Sequence, residues 1–342
     1  MKLAERQSFN ALEYVLFAVI TVVVIALCTC LGSFSVPLRD VAASVASAVF
    51  GTPAPEGAAY SVTVLSRLPR VLCVGLGGAA LSLAGAAMQG LLKNPLADGS
   101  TLGVSAGASL GAVIAIAFGS FLPSLLGTAG MAMLFAFGSL VLILALAYRM
   151  DYSLSTNTII LIGVIFSMFV NSIMSLIVTF ASTKVKSIMF WTMGSFSGSS
   201  YINALTLLVS LAVFGTVLLC LARELNAFAV GEDNARSIGV NVRAVKLAVL
   251  ICSAGLIGVT VSVGGTIGFV GLVIPHMTRM LTGPNHRKLL PASMFVGAVF
   301  LMLADLVART ILNPLELPIG VVTSFIGSIA FVYIFYRSRK AA

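Results

Sequence analysis

Solid apolar runs of about 20 residues, separated by short polar breaks, recur along the whole of this chain. A helix of that length crosses a hydrocarbon core of about 30 Å. A membrane β-barrel would need alternating segments of about ten residues, and these runs do not alternate. Charged residues are 9% of the 342, well below the share of about 25% usual in soluble domains. The fold class expected is an all-α polytopic membrane protein forming a single transmembrane domain over residues 1–342. Ten spans are predicted, at 11–33, 62–92, 99–119, 127–148, 156–180, 201–222, 242–262, 268–281, 291–311 and 318–337. The second is long enough to tilt strongly or to protrude. The eighth is short and follows Gly264-Gly265, so it reads as a broken or re-entrant helix. Such backbone is tolerated only inside protein or beside a water-filled path.

Ten spans place both termini on one side. With the N-terminus inside, 14 Lys and Arg residues fall on the inner side. Only Arg39, Arg67, Arg70, Lys184, Lys186 and Arg309 fall outside. That is the positive-inside bias, so both termini are expected in the cytoplasm. The net charge of +9 then reports topology, and no nucleic-acid partner is expected. Lys2 and Arg6 precede the first run without a clean small-x-small cleavage site, which predicts an uncleaved first span. The five cysteines lie inside apolar runs and form no C-x-x-C, so they read as small buried hydrophobes. His276 and His286 are isolated and make no metal site. The chain has no G-x-x-x-x-G-K-[ST] or H-E-x-x-H. No catalytic residue is expected, and no cofactor bound by this chain.

Four groups of polar or small residues stand out against this apolar background. The segment 226–241 lies between two apolar runs on the cytoplasmic side and carries Glu232, Asp233 and Arg236. Gly231 and Gly239 permit tight turns, and Asn226 and the Asp233-Asn234 pair can cap short helices. Glu232 and Arg236 share a helix face at i,i+4. The segment is either a solvated loop with a helical ion pair or a contact surface for a soluble partner. Ser167, Asn171 and Ser175 repeat every four residues on the fifth span, extended by Thr179, and Thr323, Ser324 and Ser328 lie on the tenth. Such stripes face either water or another helix. Gly99, Gly103, Gly107 and Gly111, continued by Ala115 and Gly119, make a small-x-x-x-small face for helix packing. Arg67 and Arg70 flank Pro69 at the outer end of the second span, and Arg309 ends the ninth with Asp305 four residues before it. These arginines contact headgroups, pair internally or face a partner. Glu316 either meets Arg309 or closes an outer gate, and Asp151 is expected to cap the fifth span.

Several tracts, in order, resemble the iron-siderophore/haem/vitamin B12 permease family of ABC importers. They are Arg67-Leu68-Pro69-Arg70, Gly85-Ala86-Ala87-Met88-Gln89-Gly90, Asn94-Pro95-Leu96-Ala97 leading to Leu102–Ala108, Trp191–Phe196, the Gly231-Glu232 tract, Gly268–His276, Ala304–Arg309 and Glu316–Val321. The resemblance implies a BtuC-like permease fold of about ten transmembrane helices in a bacterial cytoplasmic membrane. It implies a homodimer whose translocation path is lined by the fifth and tenth spans, through Ser167, Asn171, Ser175, Thr323, Ser324 and Ser328. Two cytoplasmic ATP-binding subunits, which carry the ATP and Mg, would engage Gly231, Glu232, Asp233, Ala235, Arg236 and Gly239. An extracytoplasmic substrate-binding protein would dock on Arg67, Arg70 and Arg309. The implied cargo is a metal chelate, ferric siderophore first, with haem and cobalamin as the first alternatives and molybdate as a rarer one. A secondary transporter is the rival class. It usually places Asp, Glu or His near the midplane, and here only Asp305 lies deep, with Arg309 as its partner. A scaffold without transport would leave the polar stripes unexplained.

Overall fold

The computed structural model describes residues 8–55, 57–99, 102–119, 127–152 and 155–341. Lys2 and Arg6, and the side chains of Arg337, Arg339 and Lys340, lie outside the described residues. Helices occur at all ten predicted spans. They are α1 (Ala11–Cys30), α3 (Ser61–Leu92), α4 (Val104–Phe118), α5 (Thr128–Met150), α6 (Thr156–Phe180), α8 (Tyr201–Cys220), α11 (Val242–Gly264), α12 (Val270–Thr282), α13 (His286–Thr310) and α14 (Ile319–Ala341). Four more are short: α2 (Leu38–Phe50), α7 (Val185–Thr192), α9 (Ala222–Val230) and α10 (Glu232–Ser237). Seven of the helices are long and apolar enough to cross a membrane, and α4 and the start of α14 are shorter apolar helices.

Polar residues at the breaks set where helices begin. Asn10 and Glu13 form a capping box on α1, and Ser200, Asn241 and Asn285 accept from the first turns of α8, α11 and α13. Each satisfies an amide that has no partner inside the helix. The expected cap of α6 at Asp151 is instead Ser155, which accepts from the Thr158 amide, and Asp151 Oδ2 accepts from the Ser155 amide at 3.1 Å. The first seven residues of α3 form a wider π-type turn just before Pro69, which has no N–H to donate.

The bundle is arranged around α3 and α11. In their most apolar windows 83% and 78% of residues are buried, against 11% in α1 and 22% in α6, so the first pair is the centre and the second the rim. Glycines allow the close approach at the centre. A Cβ at Gly78 would collide with the Gly297 carbonyl of α13, and one at Gly85 with the Gly271 carbonyl of α12. The predicted small-residue face of α4 packs on α5 at Gly107, against Ser139, and at Gly111, against the Met131 carbonyl. The row is shorter than expected, because Gly99 and Gly103 precede the helix. Gly103, with φ 71°, supplies its left-handed start, and Gly119 has no neighbour in contact range.

The predicted break before the eighth span is present. α11 stops at Gly264, residues 265–269 are irregular, and α12 starts inside the protein. This break interlocks with two others. The Ser195 amide donates to the Gly264 carbonyl (2.8 Å), Ile319 to Gly194 (3.1 Å) and Gly320 to Met193 (3.1 Å). Backbone groups freed by ending a helix within the bundle thus find each other rather than lipid. Gly194 and Gly265 have φ of 75° and 68°, and a Cβ at Gly265 would meet the Trp191 carbonyl. The knot needs glycine at both positions.

Candidate translocation path, coupling elbow and buried charge network

Two cavities open beside this knot. The first, about 510 Å³, is walled by Ser105 and Ser109 of α4, Ser167 and Asn171 of α6, and Thr192 and Thr266. Asp98 and Met168 also line it. The second, about 780 Å³, is walled by Ser324, Phe325 and Ser328 of α14. The two share Thr192, Thr266, Gly268 and Phe269, so they form one groove from α6 to α14. The groove wall is hydroxyls, one amide and apolar carbon, with a single carboxylate at Asp98. Two of its hydroxyls are satisfied within their own helices. Ser167 donates to the Gly163 carbonyl at 2.8 Å and Ser328 to Phe325 at 3.0 Å. Hydroxyls bonded within their own helix stay in a low-dielectric wall without an unmet donor.

Four of the six residues expected on the path line the groove: Ser167, Asn171, Ser324 and Ser328. Thr323 does not. It is fully buried, with its hydroxyl 3.2 Å from the Gly320 carbonyl, so it packs into the protein on the other side of α14. Ser175 is exposed two turns from Ser167 and lines neither cavity. Thr192, Thr266 and Phe269 were not anticipated. Thr266 donates its hydroxyl to the Thr192 carbonyl. Phe269 starts α12 at φ 68° and rests on Gly327 of α14, where no Cβ would fit. A left-handed Phe is rare outside constrained sites. The signal for these residues was the glycines of the tracts 191–196 and 264–271.

The segment 226–241 forms a helical elbow, α9 and α10, with the turn at Gly231 (φ 135°) and the exit at Gly239 (φ 88°). Both glycines thus make the tight turns expected of them. Ala235 and Phe228 are buried and seat the elbow on the bundle. Asp233, Asn234, Arg236, Ser237 and Ile238 are exposed. The expected Glu232–Arg236 pair is absent. Glu232 reaches instead to the buried Lys246 of α11 at 2.8 Å, and Arg236 lies 3.9 Å from Asp233. Asn226 caps neither elbow helix but the first amide of α13. Its Oδ1 accepts from the His286 amide at 2.8 Å, and its amide donates to Asn285 at 2.9 Å. The elbow is thereby tied to α11 through Glu232 and to α13 through Asn226, and it presents its other face outward.

The opposite end of the bundle holds its charges inside. Arg67, Arg70, Asp305 and Arg309 are all buried. Arg67 donates to the carbonyls of Thr29 (3.2 Å), Cys30 (3.0 Å) and Phe34. Arg309 donates to the Cys28 carbonyl at 3.1 Å, and its Nε lies 2.9 Å from Asp305 Oδ2. Arg70 meets Asp305 at 3.0 Å and Glu316 at 2.7 Å. Two guanidiniums therefore cap the open end of α1, and one carboxylate holds two of the three arginines. This corrects the expectation that Arg67, Arg70 and Arg309 face a docking partner. Their donors are turned to internal acceptors, which joins α1, α3 and α13. Glu316 pairs with Arg70 rather than Arg309.

Comparison with known proteins agrees with this architecture. Residues 20–337 match the FecCD transport family. The uncharacterized ABC transporter permease protein YvrB of Bacillus subtilis (strain 168) is 47% identical over 80% of this chain and 78% of its own length. The molybdate import system permease protein MolB of Haemophilus influenzae is 37% identical, over 80% of each chain. The vitamin B12 import system permease protein BtuC of Citrobacter koseri is 38% identical, over 80% of this chain and 82% of its own. A solved structure described as a metal-chelate type ABC transporter in an inward-facing conformation superposes with a TM-score of 0.82. It shares 33% identity and covers 94% of this chain and 97% of its own. With its helical bundle, interlocked breaks and outward-facing elbow, the chain belongs to the FecCD transport family, as the membrane-spanning permease subunit of an ABC transporter.

Proposed function

We propose that this chain imports a metal chelate, a ferric siderophore, into the cytoplasm by alternating access, across a bacterial cytoplasmic membrane with both its termini inside. It works as a homodimer with its groove on the two-fold axis, together with two ATP-binding subunits and an extracytoplasmic binding protein. ATP binding by the partners pushes the α9–α10 elbow. Glu232–Lys246 and Asn226–His286 carry that push to α11 and α13.

The observation that carries this reading is the groove. Its walls offer hydroxyls, the Asn171 amide, apolar carbon and only one carboxylate, Asp98, over about 510 and 780 Å³. A bulky chelate whose metal is already coordinated can slide past such a surface without being trapped. The similarity to a metal-chelate type transporter supports the same class. Relatives named for vitamin B12 and for molybdate set the competing cargoes. The test is uptake into proteoliposomes holding this chain, its ATPase and its binding protein, with ferric siderophore, haem, cobalamin and molybdate offered in parallel. Siderophore uptake that needs ATP and all three components is the expected result. Uptake of cobalamin or molybdate alone would replace the cargo and leave the importer standing. Flux driven by an ion gradient without the ATPase would overturn the importer.

A further inference from the structure

At the end of the bundle that carries the elbow, a pocket of about 560 Å³ lies between the start of α1, the end of α8 and the start of α13. Its polar lining includes Ser8, Tyr14, Arg223 and Arg287. Arg223 is exposed and Arg287 half-buried, and neither guanidinium is in an ion pair among the described residues. The inner wall of the pocket is Leu219, Met294 and Phe295. Met294 and Phe295 also line a second cavity of about 480 Å³, so the two are continuous. This second cavity runs up the bundle between α1 and α8, over a floor from α3 and α13, past Ile25, Leu72, Leu76, Leu208 and Ala298. Thr21 is its one hydroxyl, and that group is spent on the Phe17 carbonyl at 2.8 Å. The furrow is therefore dry, elongated and apolar, and it ends at two uncommitted cations near the helix ends.

We propose that this furrow holds one anionic phospholipid, with its phosphodiester between Arg223 and Arg287 and an acyl chain along the α1–α8 furrow. Two independent features require this occupant. Guanidiniums match phosphate oxygens in the fork geometry that makes strong charge-assisted bonds. Basic pockets between membrane helices recognise anionic headgroups for that reason. The furrow, in turn, supplies apolar contact that a free phosphate could not use. The inference is independent of the cargo and of the direction of transport. The bound lipid would sit beside α9, where it buttresses the elbow from the membrane side.

The test is native mass spectrometry of the delipidated full-length chain, titrated with phosphatidylglycerol, phosphatidylcholine and inorganic phosphate. Phosphatidylglycerol is expected to bind more tightly than phosphatidylcholine. It should lose roughly twenty-five-fold in affinity in Arg223→Gln/Arg287→Gln, about fivefold for each cation. Leu208→Trp, which fills the furrow from its exposed side, is expected to weaken both lipids. Should the double variant fail to fold, Arg223→Gln alone, at an exposed position, is expected to show the fivefold loss. Equal affinity for the two lipids, or unchanged phosphatidylglycerol binding in the arginine variants, would overturn the headgroup site. Binding of inorganic phosphate as tight as that of phosphatidylglycerol would replace the lipid with a free anion. Unchanged binding in Leu208→Trp would overturn the furrow.

Discussion

The two ends of this bundle use charge in opposite ways. At one end Arg67, Arg70, Asp305 and Arg309 are buried and every guanidinium finds an acceptor. At the other, Asp233 and Arg236 stand in solvent, 3.9 Å apart, with side-chain exposures of 100% and 57%. In sequence the groups look alike, since each is a short charged cluster at the edge of an apolar run. In the fold the first locks three helices together, and the second is free to meet another protein. Burial decides between the two, because a desolvated charge must be fully paired while an exposed one need not be.

That contrast can be broken in graded steps. Asp305→Ala is the strongest. It leaves Arg70 and Arg309 buried without their shared carboxylate, and a loss of about 3–5 kcal/mol is expected for a broken buried pair. Thermal unfolding in detergent should show a large fall in Tm, and an unchanged Tm would mean that the arginines are not held as described. Glu232→Ala comes next. It removes the carboxylate that meets the buried Lys246 at 2.8 Å, and a cost of about 1–3 kcal/mol is expected for the lost charge-assisted bond. Asn226→Ala removes the acceptor of the His286 amide, for about 1 kcal/mol. Its uptake should fall further than its Tm, because it cuts the link between elbow and α13; parallel changes in both would make it a purely structural contact. The smallest stability effect belongs to Asp233→Ala/Arg236→Ala, within about 0.5 kcal/mol for exposed residues.

Much of the architecture was legible in the chain, because a span of about 20 apolar residues leaves little choice of fold. The α12 break was legible too, since Gly264-Gly265 interrupts a run that would otherwise cross. The short helices α2 and α7 were hidden in the segments between predicted spans, being 13 and 8 residues long. The i,i+4 rule found Asp305–Arg309 correctly. It failed for Glu232–Arg236, because Lys246, one element away, competes for the same carboxylate from a buried position. Arg70 and Asp305 are 235 residues apart, a separation no local rule spans. On α14 the miss was angular. Thr323 and Ser324 are neighbours in sequence, but a turn of about 100° per residue points one into the core and the other into the groove. Thr192 and Thr266 carried no periodic signal, because Thr192 ends the short helix α7 and Thr266 lies in irregular backbone.

The central claim is that the exposed face of the elbow receives the ATPase while the buried arginines at the opposite end hold the bundle together. It is tested most directly by ATP-dependent uptake in the three-component proteoliposome, comparing wild type with Asp233→Ala/Arg236→Ala. The account predicts an unchanged Tm with uptake reduced at least roughly tenfold, which corresponds to about 1.4 kcal/mol of lost coupling. Uptake equal to that of the wild type, with the folded protein intact, would contradict it.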